Sequence, residues 1–287
     1  MDENKENLIC KLYKEGIKNS DICKQCHCST NTISKIIDKY NIPRRAVRKT
    51  NKDFTKFYNL DNPETQYWIG YICADGNIEY NKNYRVYKVS LFSKEEEPID
   101  KFIKFFGENN VSKNKRATGI IEAYINSKEL CEYFINNLNI VPNKSLTLNP
   151  NIKFTNNFIL GYFDGDGCIR NSKKGHIHHE CGIACGSKVF LDKIKEIIDK
   201  NDIYSIIRKH DDCNAYELTI NRKIDSEKFY NFLYKDMVVC LSRKLNNFVA
   251  LYGNIENNNR VNCGNIIGES ATKQKQQNVF ESSTTNA

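Results

Sequence analysis

Apolar residues recur at helical and strand-like spacings along most of the chain, and they divide it into a short helical region and a longer mixed region. Residues 5–46 have the three- and four-residue apolar spacing of three short helices. From residue 61 to residue 252, helical runs alternate with short stretches in which every second residue is apolar, the pattern of strands with one buried face. The pattern predicts an α+β fold preceded by a small all-α module.

This pattern and the local composition predict five segments. We expect the helical module at 1–46, a basic linker at 47–60, two mixed α+β segments at 61–150 and 151–252, and a polar tail at 253–287. The tail is rich in Asn, Ser, Thr, Gln and Lys. Because it has too few apolar residues to bury a core, we expect it to be disordered.

The second and third predicted helices have the spacing of a helix-turn-helix unit. Cys23 is a small residue in the first of the pair, His27 lies at the turn, and Ser29 is a good N-cap for the next helix. Glycine is usual at this turn, so His27 departs from the pattern. The second helix of such a unit enters the DNA major groove, unless the module only packs. The residues predicted to contact DNA here are Thr30, Asn31, Thr32 and Lys35, with Arg44 and Arg45 beyond them.

The charge of the chain is basic and uneven. Of the net +8, residues 1–52 contribute +6, from twelve Lys and Arg against six Asp and Glu. Such asymmetry is typical of a chain that binds nucleic acid or an anionic membrane, although a solvated lysine-rich surface gives the same count. The sequence has neither an apolar run of about eighteen residues nor a signal peptide, so we expect a cytoplasmic protein with no membrane partner. Its Lys, Asn and Ile content indicates a bacterial or phage genome.

Twelve cysteines in a cytoplasmic chain are expected to be free thiols that pack as small apolar residues. The run from Cys23 through Cys26 to His27 also matches the attachment pattern of c-type haem, and Cys23, Cys26 and Cys28 resemble half of a zinc site. Haem attachment follows export, for which no signal is present, and zinc lacks a second ligand pair nearby in the sequence. We therefore predict neither group.

A ten-residue pattern occurs twice, 91 positions apart, at 69–78 and 160–169, with five identical positions. Such an echo indicates that one supersecondary unit is used twice. Each copy is an apolar helical run with small residues four apart, which lets two helices pack closely. Each run ends in Asp-Gly, at Asp75 and Asp166. The macrodipole disfavours a carboxylate at a helix C-terminus by about 0.3–1 kcal/mol. A divalent cation such as Mg²⁺ would offset this cost and the mutual repulsion, although Asp-Gly alone is also a common turn.

The segments from Trp68 to Gly76 and from Ile159 to Gly167 resemble the two motifs of a single-chain LAGLIDADG homing endonuclease. The resemblance covers residues 61–252 and implies two αββαββ repeats whose sheets form a saddle over double-stranded DNA. It also implies a monomer that hydrolyses phosphodiester bonds with Mg²⁺ or Mn²⁺ at a long asymmetric site, as in intron homing by mobile elements. Cys73 stands where the family often has an acid, but that position does not bind metal.

The resemblance also assigns site residues. The residues it implies for catalysis are Asp75, Asp166, Lys144 and Lys244, and the metal ligands are the two aspartates with the carbonyls of Ala74 and Gly165. A surface lysine beside the DNA is the alternative for Lys144 and for Lys244. Basic side chains that alternate with apolar ones on predicted strands are expected to contact DNA: Arg85, Lys88, Arg116, Arg170, Arg208 and Arg222.

Two other functions fit the same fold: a DNA-binding regulator that does not cleave, and an intron RNA splicing cofactor, or maturase. Retention of both Asp75 and Asp166 argues against the regulator. A DNA-type helix-turn-helix favours DNA over RNA. An intein would need a nucleophilic first residue and a terminal His-Asn junction, whereas the sequence runs from Met1 to Ala287 with neither, so we expect a free-standing protein.

Overall fold

The computed structural model describes residues 2–45, 53–170, 180–211 and 213–253. The chain divides into two compact units, Met1–Asn51 and Lys52–Ala287. The tail expected at 253–287 lies outside the described residues apart from its first residue, and so does the linker from 47 to 52. No helix among the described residues is both long enough and apolar enough to cross a membrane.

The first unit is a bundle of three helices, as predicted: α1 (Glu3–Lys14), α2 (Asn19–Gln25) and α3 (Thr30–Lys39). Isoleucines at helical spacing fill its core, and three of them, Ile9, Ile22 and Ile33, are fully buried. The core is separate from that of the second unit.

The turn between α2 and α3 places His27 in the left-handed region, with a φ of 43°. An L-residue adopts this conformation at a cost of about 1–2 kcal/mol, which glycine would avoid. A hydrogen bond from Cys28 N to the carbonyl of Cys23 closes the turn at 3.1 Å. The amide of Thr32 then donates to the hydroxyl of Ser29 at 3.2 Å, so Ser29 caps α3 as predicted.

The second unit contains two repeats with the same order of elements. After α4 (Thr55–Tyr58), the first repeat comprises α5 (Pro63–Asp75), β1 (Gly76–Asn81), β2 (Val86–Ser93), α6 (Glu96–Phe106), β3 (Ser112–Lys115), β4 (Ile121–Asn126) and α7 (Lys128–Asn136). A single 3-10 turn follows at Lys144–Leu146. The second repeat comprises α8 (Asn156–Asp166), β5 (Gly167–Arg170), β6 (Glu180–Cys185), α9 (Lys188–Asp199), β7 (Ile206–Lys209), β8 (Tyr216–Ile220) and α10 (Lys223–Tyr234), and α11 (Ser242–Tyr252) comes last.

Each repeat forms a four-stranded antiparallel sheet, with strand orders β1-β2-β4-β3 and β5-β6-β8-β7. The strand registers also correspond: Gly76 lies opposite Leu91 in the first sheet, and Gly167 lies opposite Ile183 in the second. The two repeats can therefore be compared position by position. In the first repeat, α6 and α7 pack on β2 and β4, so one sheet face is covered and the other is open.

Helices α5 and α8 pack side by side along their glycines. A Cβ atom at Gly70 would overlap the carbonyl oxygen of Phe158, and a Cβ atom at Gly161 would overlap the carbonyl oxygen of Tyr67. Any larger side chain would therefore force the two backbones apart. This contact confirms the prediction that small residues let the two motif helices approach closely.

Part of the segment predicted as linker belongs to the second unit. Helix α4 falls within residues 53–60, and its Phe57 is fully buried. The ring of Phe57 stacks on Phe106 at a centroid distance of 4.1 Å and meets the ring of Phe134 edge-on at 5.1 Å. An aromatic residue in a polar stretch was the signal for this helix, because an exposed linker gains nothing from a phenylalanine.

Candidate active site

Asp75 and Asp166 are the last residues of α5 and α8. Because the two helices pack along their glycines, their C-terminal ends meet. A Cβ atom at Gly165 would overlap the Cβ of Ala74 and would lie 3.4 Å from Oδ2 of Asp75. The fold thus brings together the two aspartates of the repeated motif.

Each motif helix ends sharply at a glycine. Gly76 and Gly167 have extended conformations, with φ values of −93° and −80°. The left-handed C-cap that an Asp-Gly ending suggests is therefore absent at both positions. Glycine is required there because a Cβ atom would run into backbone atoms of Ile72 and Phe163, respectively. The chain passes straight from each helix into a strand, and each aspartate lies at the junction.

Both carboxyl groups have raised pKa values. Asp75 is partly buried, whereas Asp166 is exposed as a residue, although protein atoms crowd its carboxyl group. Burial is the main cause of the raised pKa of Asp75, and burial followed by repulsion from Asp75 raises the pKa of Asp166. Tyr71 opposes the rise at Asp75 and Tyr162 opposes it at Asp166, while the Tyr162 hydroxyl donates a hydrogen bond to the carbonyl of Ala184 at 3.1 Å. These tyrosines are identical in the two motifs, and that identity was the sequence signal for a role at the site.

Lys144 and Lys244 are 8% and 3% exposed, so neither is a solvated surface lysine. The Lys144 ammonium donates a hydrogen bond to the carbonyl of Gly76. The Lys244 ammonium donates to the carbonyl of Gly167 at 2.7 Å and lies 3.4 Å from that of Gly165. Burial lowers the pKa of both lysines, to about 8 for Lys244. Each lysine therefore sits against the C-terminal end of one motif helix.

Both lysines act on both carboxylates. The positive charges of Lys144 and Lys244 lower the pKa of Asp75 and also that of Asp166. A cleft beside Asp75 is lined by Gly165 of the other motif helix, by Leu241 and Arg243, and by the end of strand β2. The arrangement consists of two half-sites, each with one aspartate and one buried lysine.

The donor set suits a divalent cation. Two carboxylates that repel each other lie beside helix-end carbonyls, which carry the negative end of the macrodipole. Among the described residues, no group of three or more His, Cys, Asp or Glu side chains is arranged to hold a metal. A cation at this place would therefore take few protein ligands and would complete its shell with water and phosphate oxygens, which is the preference of Mg²⁺.

Asp164 was given no role in the sequence analysis, yet it is almost fully buried at 2% exposure. Its Oδ2 accepts hydrogen bonds from the hydroxyl of Tyr67 and from the amide of Leu241, both at 2.8 Å. Burial raises its pKa to about 7. The corresponding residue of the first motif is Cys73, so the two halves of the site differ at this position.

Several cations predicted to contact DNA are bound to glutamates on the open sheet faces. Lys88 and Arg116 both contact Glu122, at 2.7 Å and 3.2 Å. In the second sheet, Arg170 contacts Glu217 at 2.6 Å. The strand registers place Glu122 and Glu217 at corresponding positions, since Glu122 lies opposite Phe92 and Glu217 lies opposite Ala184, the residues that follow the corresponding Leu91 and Ile183. The free protein therefore holds these cations in fixed positions.

The other predicted cations of the sheets are placed differently. Arg85 is exposed at the β1–β2 hairpin with a φ of 52°, and Arg208 is exposed on β7. Arg222 forms an ion pair with Asp225, and its guanidinium lies 4.7 Å from the ring centroid of Tyr204. Arg222 therefore has a structural partner, whereas Arg85 and Arg208 present their side chains to solvent.

In the first unit, α3 presents a polar face. Thr30, Asn31 and Lys35 are exposed, whereas the hydroxyl of Thr32 lies 3.0 Å from that of Ser29 in the cap of α3. These are the short polar and basic groups that the sequence placed on a recognition helix. Their exposure is consistent with that placement.

The two arginines that follow α3 are bound within the unit. Nη2 of Arg44 donates to both carboxylate oxygens of Asp38, at 2.8 Å and 3.0 Å. The guanidinium of Arg45 donates to the carbonyls of Tyr13 and Ile17 and stacks 3.9 Å from the Tyr13 ring centroid. Arg45 thus satisfies carbonyls at the C-terminal end of α1. It holds the unit together, and its contact with DNA stays a prediction.

Two domain families match the chain. Residues 153–233 match the LAGLIDADG-like domain, and residues 8–56 match the Homeodomain-like domain. The first match covers the second repeat, to which the first repeat corresponds in strand order and register. The resemblance drawn from the sequence is therefore confirmed at the level of its two domains.

Individual proteins are also similar. The uncharacterized protein MJ0398 of Methanocaldococcus jannaschii is 25% identical over 252 residues, which cover 80% of this chain and 86% of that one. Among solved structures, variants of the homing endonuclease I-DmoI have 19% identity and a TM-score of 0.48, covering 67% of this chain and 99% of theirs. The homing endonuclease I-WcaI bound to its DNA recognition sequence has 18% identity and a TM-score of 0.44, covering 72% and 96%.

Proposed function

We propose that this chain, with its LAGLIDADG-like and Homeodomain-like domains, is a metal-dependent endonuclease that cuts both strands of DNA at one long, asymmetric site. The observation that carries the proposal is the convergence of Asp75 and Asp166 at adjoining helix ends, each with a buried lysine nearby. A structural role does not account for the pair, because two carboxylates whose pKa values are raised cost the fold stability.

Asp75 and Asp166 would hold the divalent cations, Mg²⁺ or Mn²⁺, with the carbonyls of Ala74 and Gly165 as further ligands. A bound divalent cation activates a water and offsets the charge that develops on a phosphate during hydrolysis. Tyr71 and Tyr162 lie beside the carboxylates of Asp75 and Asp166 and oppose the rise of their pKa values. Ionised carboxylates are required for this role, and the tyrosines favour that form by lowering the pKa values.

Lys144 and Lys244 would act on the phosphate or on the attacking water. Each is held by a carbonyl near a helix end and is largely screened from solvent. Because the protein interior has a lower dielectric constant than water, the charge of each lysine acts more strongly on nearby groups. The lowered pKa of Lys244, about 8, brings it within reach of proton transfer near neutral pH. Positioned cations of this kind stabilise charge that develops on a phosphate oxygen.

The open sheet faces would bind the DNA. Lys88, Arg116 and Arg170 are fixed by glutamates, and fixed cations lose little freedom on binding bases or phosphates. The two sheets differ in these side chains, which favours an asymmetric target. The exposed face of α3 would add a second DNA contact. Because one chain carries both aspartates, we propose that it acts as a monomer.

The test is selection of cleaved duplexes from a randomised double-stranded library, with Mg²⁺, with Mn²⁺ and with a metal chelator. The proposal predicts that double-strand cuts accumulate at one long sequence and that the chelator abolishes them. Specific binding without a cut in either metal would contradict it and would favour the DNA-binding regulator. Preferential binding of a structured intron RNA would favour the splicing cofactor.

A further inference from the structure

The chain that leads into helix α11 is held by two carboxylates from different parts of the second unit. Oδ2 of Asp164, on α8, accepts a hydrogen bond from the amide of Leu241 at 2.8 Å. Oε1 of Glu97, in the first turn of α6, accepts from the amide of Ser242 at 3.0 Å and from its hydroxyl at 2.6 Å. Both repeats thus contribute an acceptor to the same helix start.

The position of these acceptors matters for the helix. The first amides of an α-helix have no acceptor within the helix, and the macrodipole places a partial positive charge there. Carboxylates are the best partners for such amides. Lys101 strengthens the arrangement because its ammonium lies 2.7 Å from both Oε1 of Glu97 and the carbonyl of Cys240. The start of α11 is therefore fastened to α6 and α8 at successive residues.

Lys244 lies two residues after Ser242, in the first turn of α11. Its ammonium contacts the carbonyls of Gly165 and Gly167, at the end of α8. A lysine side chain is flexible and strongly hydrated, so its burial at this place requires a backbone that does not move. The two carboxylates supply that fixed backbone.

Lys144, the corresponding lysine of the first repeat, has no such support from the residues that the structure describes. It lies on a three-residue 3-10 turn, Lys144–Leu146, and no α-helix follows there. The strand registers make Leu91 correspond to Ile183, so Glu97, six residues after Leu91, corresponds to Val189, six residues after Ile183. Val189 is apolar and 53% exposed. Likewise, Cys73 stands in place of Asp164.

We propose that Asp164 and Glu97 are positioning residues for Lys244, and that the two half-sites therefore respond differently to their loss. This inference rests on the proposed endonuclease activity, which it deepens. Neither carboxylate touches substrate or metal in the proposed reaction; each acts through the backbone of Leu241 or Ser242. The strand whose cut depends on Lys244 depends on this anchor, and the strand whose cut depends on Lys144 does not.

The test compares Glu97→Ala with Glu96→Ala in the full-length chain. Both residues lie in the first turn of α6 and lose the same charge, but Glu96 is exposed and lies outside the anchor. The target duplex is labelled separately on each strand, and Lys244→Met identifies the strand that depends on Lys244. We expect Glu97→Ala to slow the cut of that strand by roughly tenfold, with the other strand and the binding affinity unchanged. Glu96→Ala should leave both strands unaffected.

Hydrogen exchange gives a second readout that does not depend on cleavage. Glu97→Ala should speed exchange of the amides at 241–244 and leave those at 144–146 unchanged. Asp164→Asn should act in the same direction on Leu241. If wild type does not cut DNA, the proposed function fails and exchange alone decides whether the anchor exists. Unchanged exchange at 241–244, or equal slowing of both strands, would overturn the inference.

Discussion

The aspartates of the two motifs all have raised pKa values. Asp164 is buried, and although its Oδ2 accepts two hydrogen bonds, burial raises its pKa to about 7. Asp75 and Asp166 lie at helix C-termini and have raised pKa values. A carboxyl group whose pKa is raised in the folded state lowers stability when it is ionised, so at neutral pH these two charges oppose folding. Destabilised groups that the fold retains are typical of functional sites.

The raised pKa of Asp75 predicts that a neutral isostere stabilises the fold. Asp75→Asn removes a charge that burial disfavours, so we expect the free energy of unfolding in the absence of metal to rise, by about 0.5–1 kcal/mol. Urea unfolding at neutral pH, without divalent cations, measures this change. A strongly destabilised Asp75→Asn would contradict the role assigned to Asp75.

At the scale of elements, the spacing of apolar residues predicts the strongly amphipathic segments. Helices α6, α7 and α9 and strands β2, β4 and β8 belong to this group, because each has one apolar face. Strand β3 (Ser112–Lys115) has four polar residues and forms through its backbone pairing with β4, so apolar spacing does not predict it. Helix α11 has a polar start that is fixed by acceptors from α6 and α8, so its beginning does not follow from its own sequence.

The candidate site was predictable in part for similar reasons. The repeated motif identified both aspartates, and their approach follows from small residues at helical spacing. The glutamates that bind the basic side chains of the sheets could not be predicted, because cross-strand contacts such as that between Lys88 and Glu122 depend on strand register. The charge of Arg45 predicts a DNA contact but gives no sign of its contacts within the first unit. Its contacts with the end of α1 arise only when the unit folds.

Helix α3 carries a prediction for DNA binding. Lys35 is exposed on its polar face, whereas Lys24 is exposed on α2, outside the predicted recognition helix. Lys35→Ala should weaken DNA binding and lower the slope of log affinity against log salt by about 0.9, the value for one lost phosphate contact. Lys24→Ala should leave the slope closer to that of wild type. Titration of a labelled duplex at several salt concentrations measures both slopes. Equal slopes for the two variants would exclude a specific phosphate contact by Lys35.

The first sheet carries a second prediction. Glu122 is 4% exposed and binds both Lys88 and Arg116, so its charge offsets theirs on the open face. Glu122→Gln removes the negative charge that offsets Lys88 and Arg116 and that holds their side chains in place. It should therefore raise affinity for unrelated duplexes by roughly tenfold at low salt and should lower discrimination between DNA sequences. Glu108→Gln, at an exposed site near the end of α6, is the control for charge. A matching change in that control would show that only net charge matters.

At the scale of the whole molecule, the second unit contains the same structural repeat twice in one chain. The two half-sites can therefore differ in sequence. Both repeats keep the aspartate, the tyrosine and the lysine, together with the same strand order and register. They differ in Cys73 against Asp164 and in the support of the lysine. A symmetric dimer could not acquire such differences, since each substitution would appear in both halves. A single chain with two unequal halves suits a substrate that is itself asymmetric.

The most direct test of the central claim is strand-resolved cleavage of the selected target duplex with Mg²⁺, by wild type, Asp75→Asn and Asp166→Asn. Asp192→Asn is the control, because Asp192 is an exposed aspartate of α9 that pairs with Lys188. We predict double-strand cuts by wild type and by the control. We predict none by Asp75→Asn or Asp166→Asn, although both still bind the duplex. Wild-type rates of double-strand cleavage in either variant would contradict the assignment of the paired carboxylates as the catalytic centre.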